Sequence, residues 1–187
     1  MVHRLYQKKI NKEKVVISGL GSIGAQHLSF IEKNKNLQLI SVYDTDKNKY
    51  KNIKNKETLK SKTFSQLLNN KVNYAIIASP DEDHCSQIIR CLKKEINIFC
   101  EKPLCNSSGE LKAIYKEWKK NNNIKIKTNL LLRTADLYIW LKKKIQTGYF
   151  GKIYSIDAEY LYGRKEKITN GWRRYSKNYS GMRGGGV

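Results

Sequence analysis

At 187 residues the chain is long enough for one complete core and part of a second. With 40% hydrophobic and 28% charged residues, only two prolines and no low-complexity tract, its composition is that of a soluble globular protein, and disorder is not the default. No run approaches the roughly 20 apolar residues that a membrane span needs, and residues 1–9 have no apolar leader core, so a cytoplasmic location and no membrane partner are expected. The net charge of +21 would suit a nucleic-acid partner, but the lysines are scattered over the whole length, often beside asparagine, and no nucleic-acid-binding motif accompanies them. The balance favours a solvated basic surface, which would still attract anionic cofactors and phosphorylated sugars.

Residues 14–19 form a short β-rich run that ends in glycine, and a helical pattern follows with Ile23, Phe30 and Ile31 on one face. A second apolar run over 37–43 stops at Asp44 and completes a βαβ unit. The polar stretch through Lys62 reads as a surface helix, and residues 63–70 as a turn and short helix. A strand over 74–79 leads through Pro80 into a helix whose Cys85, Ile88, Ile89 and Leu92 form an apolar stripe. Another strand over 96–100 precedes Glu101-Lys102-Pro103, and Ser107 with Glu110 offers a capping box before a helix bearing Leu111, Ile114, Tyr115 and Trp118.

This alternation predicts an α/β fold, a doubly wound Rossmann parallel sheet covered on both faces. A strand over 124–132 is expected next, then a helix over 134–147 with Leu137, Leu141 and Ile145 on one face, then a long strand over 152–162. The boundaries that follow are a dinucleotide-binding domain over 1–125 and the incomplete start of an α+β substrate domain over 126–187.

A pyrophosphate needs bare backbone N–H groups at a helix N-terminus, and Gly19, Gly21 and Gly24 have the GxGxxG spacing that allows it, with Ser22 and Ile23 between them. The spacing alone also arises in structural turns; here it follows a strand, opens a helix and precedes an acid. Asp44 would accept from the adenosine ribose hydroxyls and repel a 2′-phosphate, favouring NAD over NADP. It could instead cap the next helix, and Asp46 could share either role. Ser79, Pro80 and His84, like Glu101, Lys102 and Pro103, fall at the C-terminal ends of parallel strands, where such sheets place ligands. Lys102 could exchange a proton with a substrate hydroxyl; the plain alternative is an exposed Glu101–Lys102 ion pair, with His84 as a packing residue. Cys85, Cys91, Cys100 and Cys105 lack Cys-x-x-Cys spacing, so free thiols and no metal site are expected.

Together these residues resemble the glucose-fructose oxidoreductase and inositol dehydrogenase family, Gfo/Idh/MocA. The match runs from residues 19–28 through Asp44, Ser79-Pro80, His84 and Glu101-Lys102-Pro103-Leu104 to Arg133, residues 148–153 and the glycines at 184–186. The resemblance implies a nicotinamide cofactor, substrates that are sugars, nucleotide-sugars or polyols, an active-site role for Lys102 and a peptide before Pro103 that can take the cis form. It also implies that Ser79, Pro80, His84 and Glu101 line the nicotinamide side of a cleft. Tyr162, Arg164, Trp172 and Arg173 would lie where the family runs into its substrate domain; ordinary strand packing explains them equally.

Family members continue into a helix with an Asp and a His facing the substrate. The chain is therefore expected to be an N-terminal portion that binds cofactor with little or no turnover, and the homo-oligomers of the family are not expected of it. His3, His27 and His84 fall in the cofactor half and cannot replace the missing pair. The competing reading is a non-catalytic dinucleotide-binding protein or degenerate remnant.

Overall fold

A computed structural model describes residues 12–69, 71–159, 161 and 170. Six parallel strands, β1 (Glu13–Ser18), β2 (Leu37–Tyr43), β3 (Leu59–Lys60), β4 (Tyr74–Ile77), β5 (Asn97–Cys100) and β6 (Ile126–Thr128), lie in the order β3-β2-β1-β4-β5-β6. This is the doubly wound order, with its reversal of direction between β1 and β4. The expected fold is present, and β6 carries the sheet past the boundary drawn at 125.

Strand alternation divides the core. Val15 and Ile17 of β1 face α1 (Ser22–Lys33), packing with Leu28, Ile31, Leu39 and Val42. Val16 faces the other way, with Ala75, Ile77, Ile98 and Cys100 against Ile88, Cys91 and Leu92 of α3 (His84–Leu92) and Ile114 of α4 (Ser108–Trp118). Burying both faces is what allows β1 and β4 to be nearly continuous apolar runs. The short α2 (Phe64–Leu67) is capped by Thr63, whose hydroxyl accepts from Gln66 N–H, and adds Phe64 and Leu67 to the second face.

Several expectations change in detail. The buried face of α1 is Gly24, Leu28 and Ile31, while Ile23 and Phe30 are 39% and 61% exposed. The residues every three to four positions from Gly24 are turned inward by the close seating of that glycine on the loop before it. The stripe of α3 centres on His84, Ile88 and Cys91, with Cys85 and Ile89 half-buried at its margins. The expected surface helix before Lys62 is a short 3-10 helix over Lys47–Asn52, followed by β3. Half of the capping box of α4 forms as expected, with Ser107 Oγ accepting from Glu110 N–H at 3.1 Å, while the Glu110 carboxylate reaches one residue past the N-cap and accepts from Asn106 N–H at 2.7 Å.

Beyond the sheet, α5 (Asp136–Gln146) forms where a helix was expected, but none of its residues is buried, and Leu137 is 65% exposed. Residues 152–159 are not in a strand. Their β-branched and aromatic content favours extended chain, but a strand is held by ladder hydrogen bonds, and none of the described strands pairs with this segment. Among the described residues no helix is long and apolar enough to cross a membrane.

Candidate functional site

The C-terminal edge of the sheet is a row of loops, each anchored to the neighbouring strand by a backbone hydrogen bond. Gly19 N–H donates to Tyr43 O at 2.8 Å, Ala78 N–H to Ser18 O at 2.7 Å, Glu101 N–H to Ile77 O at 2.8 Å and Asn129 N–H to Cys100 O at 2.8 Å. The loops after β1, β4, β5 and β6 therefore start from fixed points on one rim.

The three glycines have two different reasons to be glycine. Gly19 has φ +88°, and a Cβ there would lie 2.3 Å from Ala78 O. A Cβ on Gly24 would lie 1.9 Å from Gly19 O. Both glycines let the turn fold against itself and against β4. At Gly21 a Cβ would meet nothing within 4 Å, so the protein's own packing does not require a glycine there. Gly21 is the N-cap of α1, with no side-chain cap and no acidic residue in the first turn. Ser22 and Ile23 beside it are exposed. Bare backbone facing open space at a helix N-terminus is the surface a dinucleotide pyrophosphate needs, so the loop fits that group.

Asp44 follows β2 and is half-buried. One carboxylate oxygen accepts from Leu20 N–H at 2.6 Å and the other from Asp46 N–H at 2.7 Å. The helix-capping role falls to Asp46, whose side chain accepts from Asn48 N–H at 3.0 Å and caps the 3-10 turn. Tyr50 braces the same corner: its hydroxyl accepts from Asp44 N–H at 3.1 Å and lies 2.9 Å from Ser61 O. Asp44 thus fastens the glycine loop to the end of β2, and each of its oxygens keeps a second lone pair for a hydroxyl donor.

On the other side of β1, Ser79 donates to Gln87 Oε1 at 3.1 Å, and Pro80 begins the turn into α3. His84, expected on the wall of the cleft, is 0% exposed beneath it. Its Nδ1 lies 2.6 Å from Pro103 O and its Nε2 3.0 Å from Ser79 O, joining the loops after β4 and β5. The Lys102–Pro103 peptide is cis.

Glu101 Oε1 accepts from His27 Nε2 and from Asn129 Nδ2, each at 2.7 Å. Burial pushes the Glu101 carboxyl up, but the hydrogen bonds from His27 and Asn129 outweigh it and hold the group below its usual range. Asn129 is not singled out by the sequence, and His27 enters there only within the matched run 19–28 and among the histidines of the cofactor half, with no contact expected between it and Glu101. The available signal was faint: His27 lies one turn after Gly24, and Asn129 follows a strand end as Glu101 does. Half-buried Lys102 sits next to this network and beside Pro103.

The four cysteines are free. Burial pushes the Cys91 thiol up to about 12, and burial, with Glu101 adding to it, pushes Cys100 up as well. Neither has thiolate character at neutral pH. Among the described residues no group of His, Cys, Asp and Glu could hold a metal ion. Tyr162, Arg164, Trp172 and Arg173 lie outside the described residues.

The oxidoreductase family with an NAD-binding Rossmann fold, Gfo/Idh/MocA, matches over residues 13–128. Inositol 2-dehydrogenase of Salmonella typhimurium is 25% identical over 144 residues, covering 74% of this chain and 43% of that protein. Glucose-6-phosphate 3-dehydrogenase of Bacillus subtilis is 27% identical over 179 residues, covering 92% of this chain and 50% of that protein. The crystal structure of myo-inositol 2-dehydrogenase from Lactobacillus plantarum superposes with a TM-score of 0.70 at 26% identity, over 76% of this chain and 43% of that one. The chain spans half or less of the length of these relatives.

Proposed function

This chain belongs to the Gfo/Idh/MocA oxidoreductase family, whose NAD-binding Rossmann fold it carries, and on that footing we propose that it is the cofactor-binding portion of an enzyme oxidising or reducing a sugar, nucleotide-sugar or polyol hydroxyl. The observation that carries the reading is the shared rim: the loop built around Gly21 and the Glu101-Lys102-Pro103 segment start from strands of one sheet, on either side of its switch point. The named substrates of the two enzymes, inositol and glucose 6-phosphate, supply the substrate class.

Backbone around Gly19, Gly21, Ser22, Ile23 and Gly24 would hold the pyrophosphate, and Asp44 the adenosine ribose hydroxyls. The negative charge of Asp44 opposes a 2′-phosphate, which makes NAD the preferred cofactor over NADP. Ser79, Pro80, Glu101 and Pro103 would border the nicotinamide, which when bound supplies the carbon that takes up or returns hydride. Lys102 Nζ takes the proton from the substrate hydroxyl, or returns it in the reverse direction. The cofactor domain in this reading runs through β6 to Thr128, and the residues after it begin the substrate domain.

Fluorescence titration of the 187-residue chain with NADH and NADPH tests the proposal. Saturable NADH binding, tighter than NADPH, is expected. Absence of NADH binding would end the reading, and equal or tighter NADPH binding would end the cofactor preference.

A further inference from the structure

The residues on each side of Lys102 are each held by a histidine from a different element, Pro103 through its carbonyl and Glu101 through its side-chain carboxylate. After Lys102, the Pro103 carbonyl lies 2.6 Å from Nδ1 of His84 of α3, whose Nε2 lies 3.0 Å from Ser79 O, so the ring sits between the two carbonyls and donates to one of them in its neutral form. Before it, Glu101 is fixed by His27 of α1 together with Asn129 after β6. The two anchors differ in what the fold itself requires. His84 is wholly buried and ties two loops together, so packing alone explains it. His27 is half-buried at the margin of its helix and stacks edge-on against Phe99 with ring centroids 5.5 Å apart, a contact that an apolar side chain would make as well. What an apolar residue would not do is reach Glu101. A half-buried carboxylate next to Phe99 and Cys100 is costly unless its oxygens are satisfied, and His27 and Asn129 both converge on the same one.

From this geometry we infer that His27 is a positioning residue for Lys102: by holding Glu101 it couples the helix that opens at the glycine loop to the backbone carrying the lysine. This rests on the role proposed for Lys102. The coupling links the two halves of the site across the switch point, because His27 belongs to the β1–α1 unit and Glu101 opens the loop after β5. It sets the lysine relative to a cofactor seated on the loop without His27 touching either substrate or cofactor.

The test uses the 187-residue chain and an amine-acylating reagent, N-hydroxysuccinimidyl acetate. The initial rate of modification at Lys102 is read by peptide mass spectrometry, with Lys93 and Lys116 of the same molecule as internal standards. His27→Ala is expected to change the Lys102 rate by about threefold or more while the standards stay unchanged. NADH affinity is expected to fall about tenfold in the same variant. His27→Gln, whose amide can still donate to Glu101, is expected to restore both towards wild type. An unchanged Lys102 rate in His27→Ala overturns the inference. So does a uniform rise at all lysines, which would make His27 a support of the fold rather than of Lys102, and so does a His27→Gln variant no better than His27→Ala. The labelling arm needs no cofactor, so a wild-type chain that fails to bind NADH removes the proposed function without deciding the rate comparison.

Discussion

Gly19 lies so close to Ala78 that a Cβ on the glycine would stand 2.3 Å from the alanine carbonyl oxygen. The approach brings the first turn of the β1–α1 unit down onto β4, and it is backbone against backbone, so no side chain can swing aside. Gly24 meets Gly19 O in the same way, at 1.9 Å. Gly19→Ala and Gly24→Ala are each expected to destabilise the chain by about 2–3 kcal/mol. Gly21→Ala, with open space around it and a φ of −63° that alanine adopts freely, is expected to melt with the wild type and to lose about tenfold or more in NADH affinity. Thermal melts and NADH titrations of the three variants separate the two roles; equal destabilisation by all three would contradict this division.

Asp44 satisfies two loop N–H groups, from Leu20 and Asp46. Asp44→Ala leaves both without that acceptor, at an expected cost of about 1–3 kcal/mol. It also removes the charge that opposes a 2′-phosphate, so the ratio of NADPH to NADH affinity should rise. Paired titrations check this, and an unchanged ratio would show that Asp44 supports the loop without selecting the cofactor.

The Glu101 carboxyl is held below its usual range by His27 and Asn129, against the opposing effect of burial. A depressed carboxyl contributes stability that is present above its unfolded value, near about 4.3, and is lost as pH falls through its folded value. The difference in melting temperature between wild type and Glu101→Gln should therefore shrink as pH falls from 6 towards 3, a range of about three units. Parallel curves across that range would show that the ionised carboxylate contributes nothing.

Cys91 has the opposite sign. Its thiol is raised from 9.0 to about 12 by burial, so the folded chain keeps a proton that the unfolded chain releases. The contribution is complete below 9.0 and is lost as pH rises towards 12. Cys91→Ala should be less stable than wild type at neutral pH because it leaves a small cavity, yet lose less stability between pH 8 and 10.5, a window of about two to three units below the folded value. Melting curves of equal alkaline slope for the two chains would contradict this.

Much of this architecture can be read along the chain because it is local. The glycine spacing, the acid after β2 and the Ser107 cap each depend on a few neighbouring residues. β3 could not be read that way: two residues have no alternation to detect, and the strand exists through pairing with Ser41 and Val42, beside the buried hydroxyl pair of Ser41 and Ser61 at 2.7 Å. Apolar spacing puts Ile23 and Phe30 on the core face of α1, but the helix is oriented by how tightly Gly24 seats on Gly19, which leaves both exposed. The bond between His27 and Glu101 spans 74 residues of sequence. Nothing near either residue marks it, since it arises only where α1 and β5 meet, and Asn129 joins them from the end of a third element. At residues 152–159 the β propensity was genuine, but a strand needs a neighbour, which propensity cannot provide.

β1 pairs with β2 on one side and with β4 on the other. Its position along the sheet is thus measured twice, by two independent ladders. A slip by one residue would carry the glycine turn about 3.3 Å along the strand axis and turn Val15 and Val16 to opposite faces. The same error would pull Leu20 away from Asp44 and Gly19 away from Ala78. Small insertions inside β1 should accordingly be the least tolerated in the chain, whereas insertions in the Lys- and Asn-rich turn before β3 shift neither ladder of that central strand.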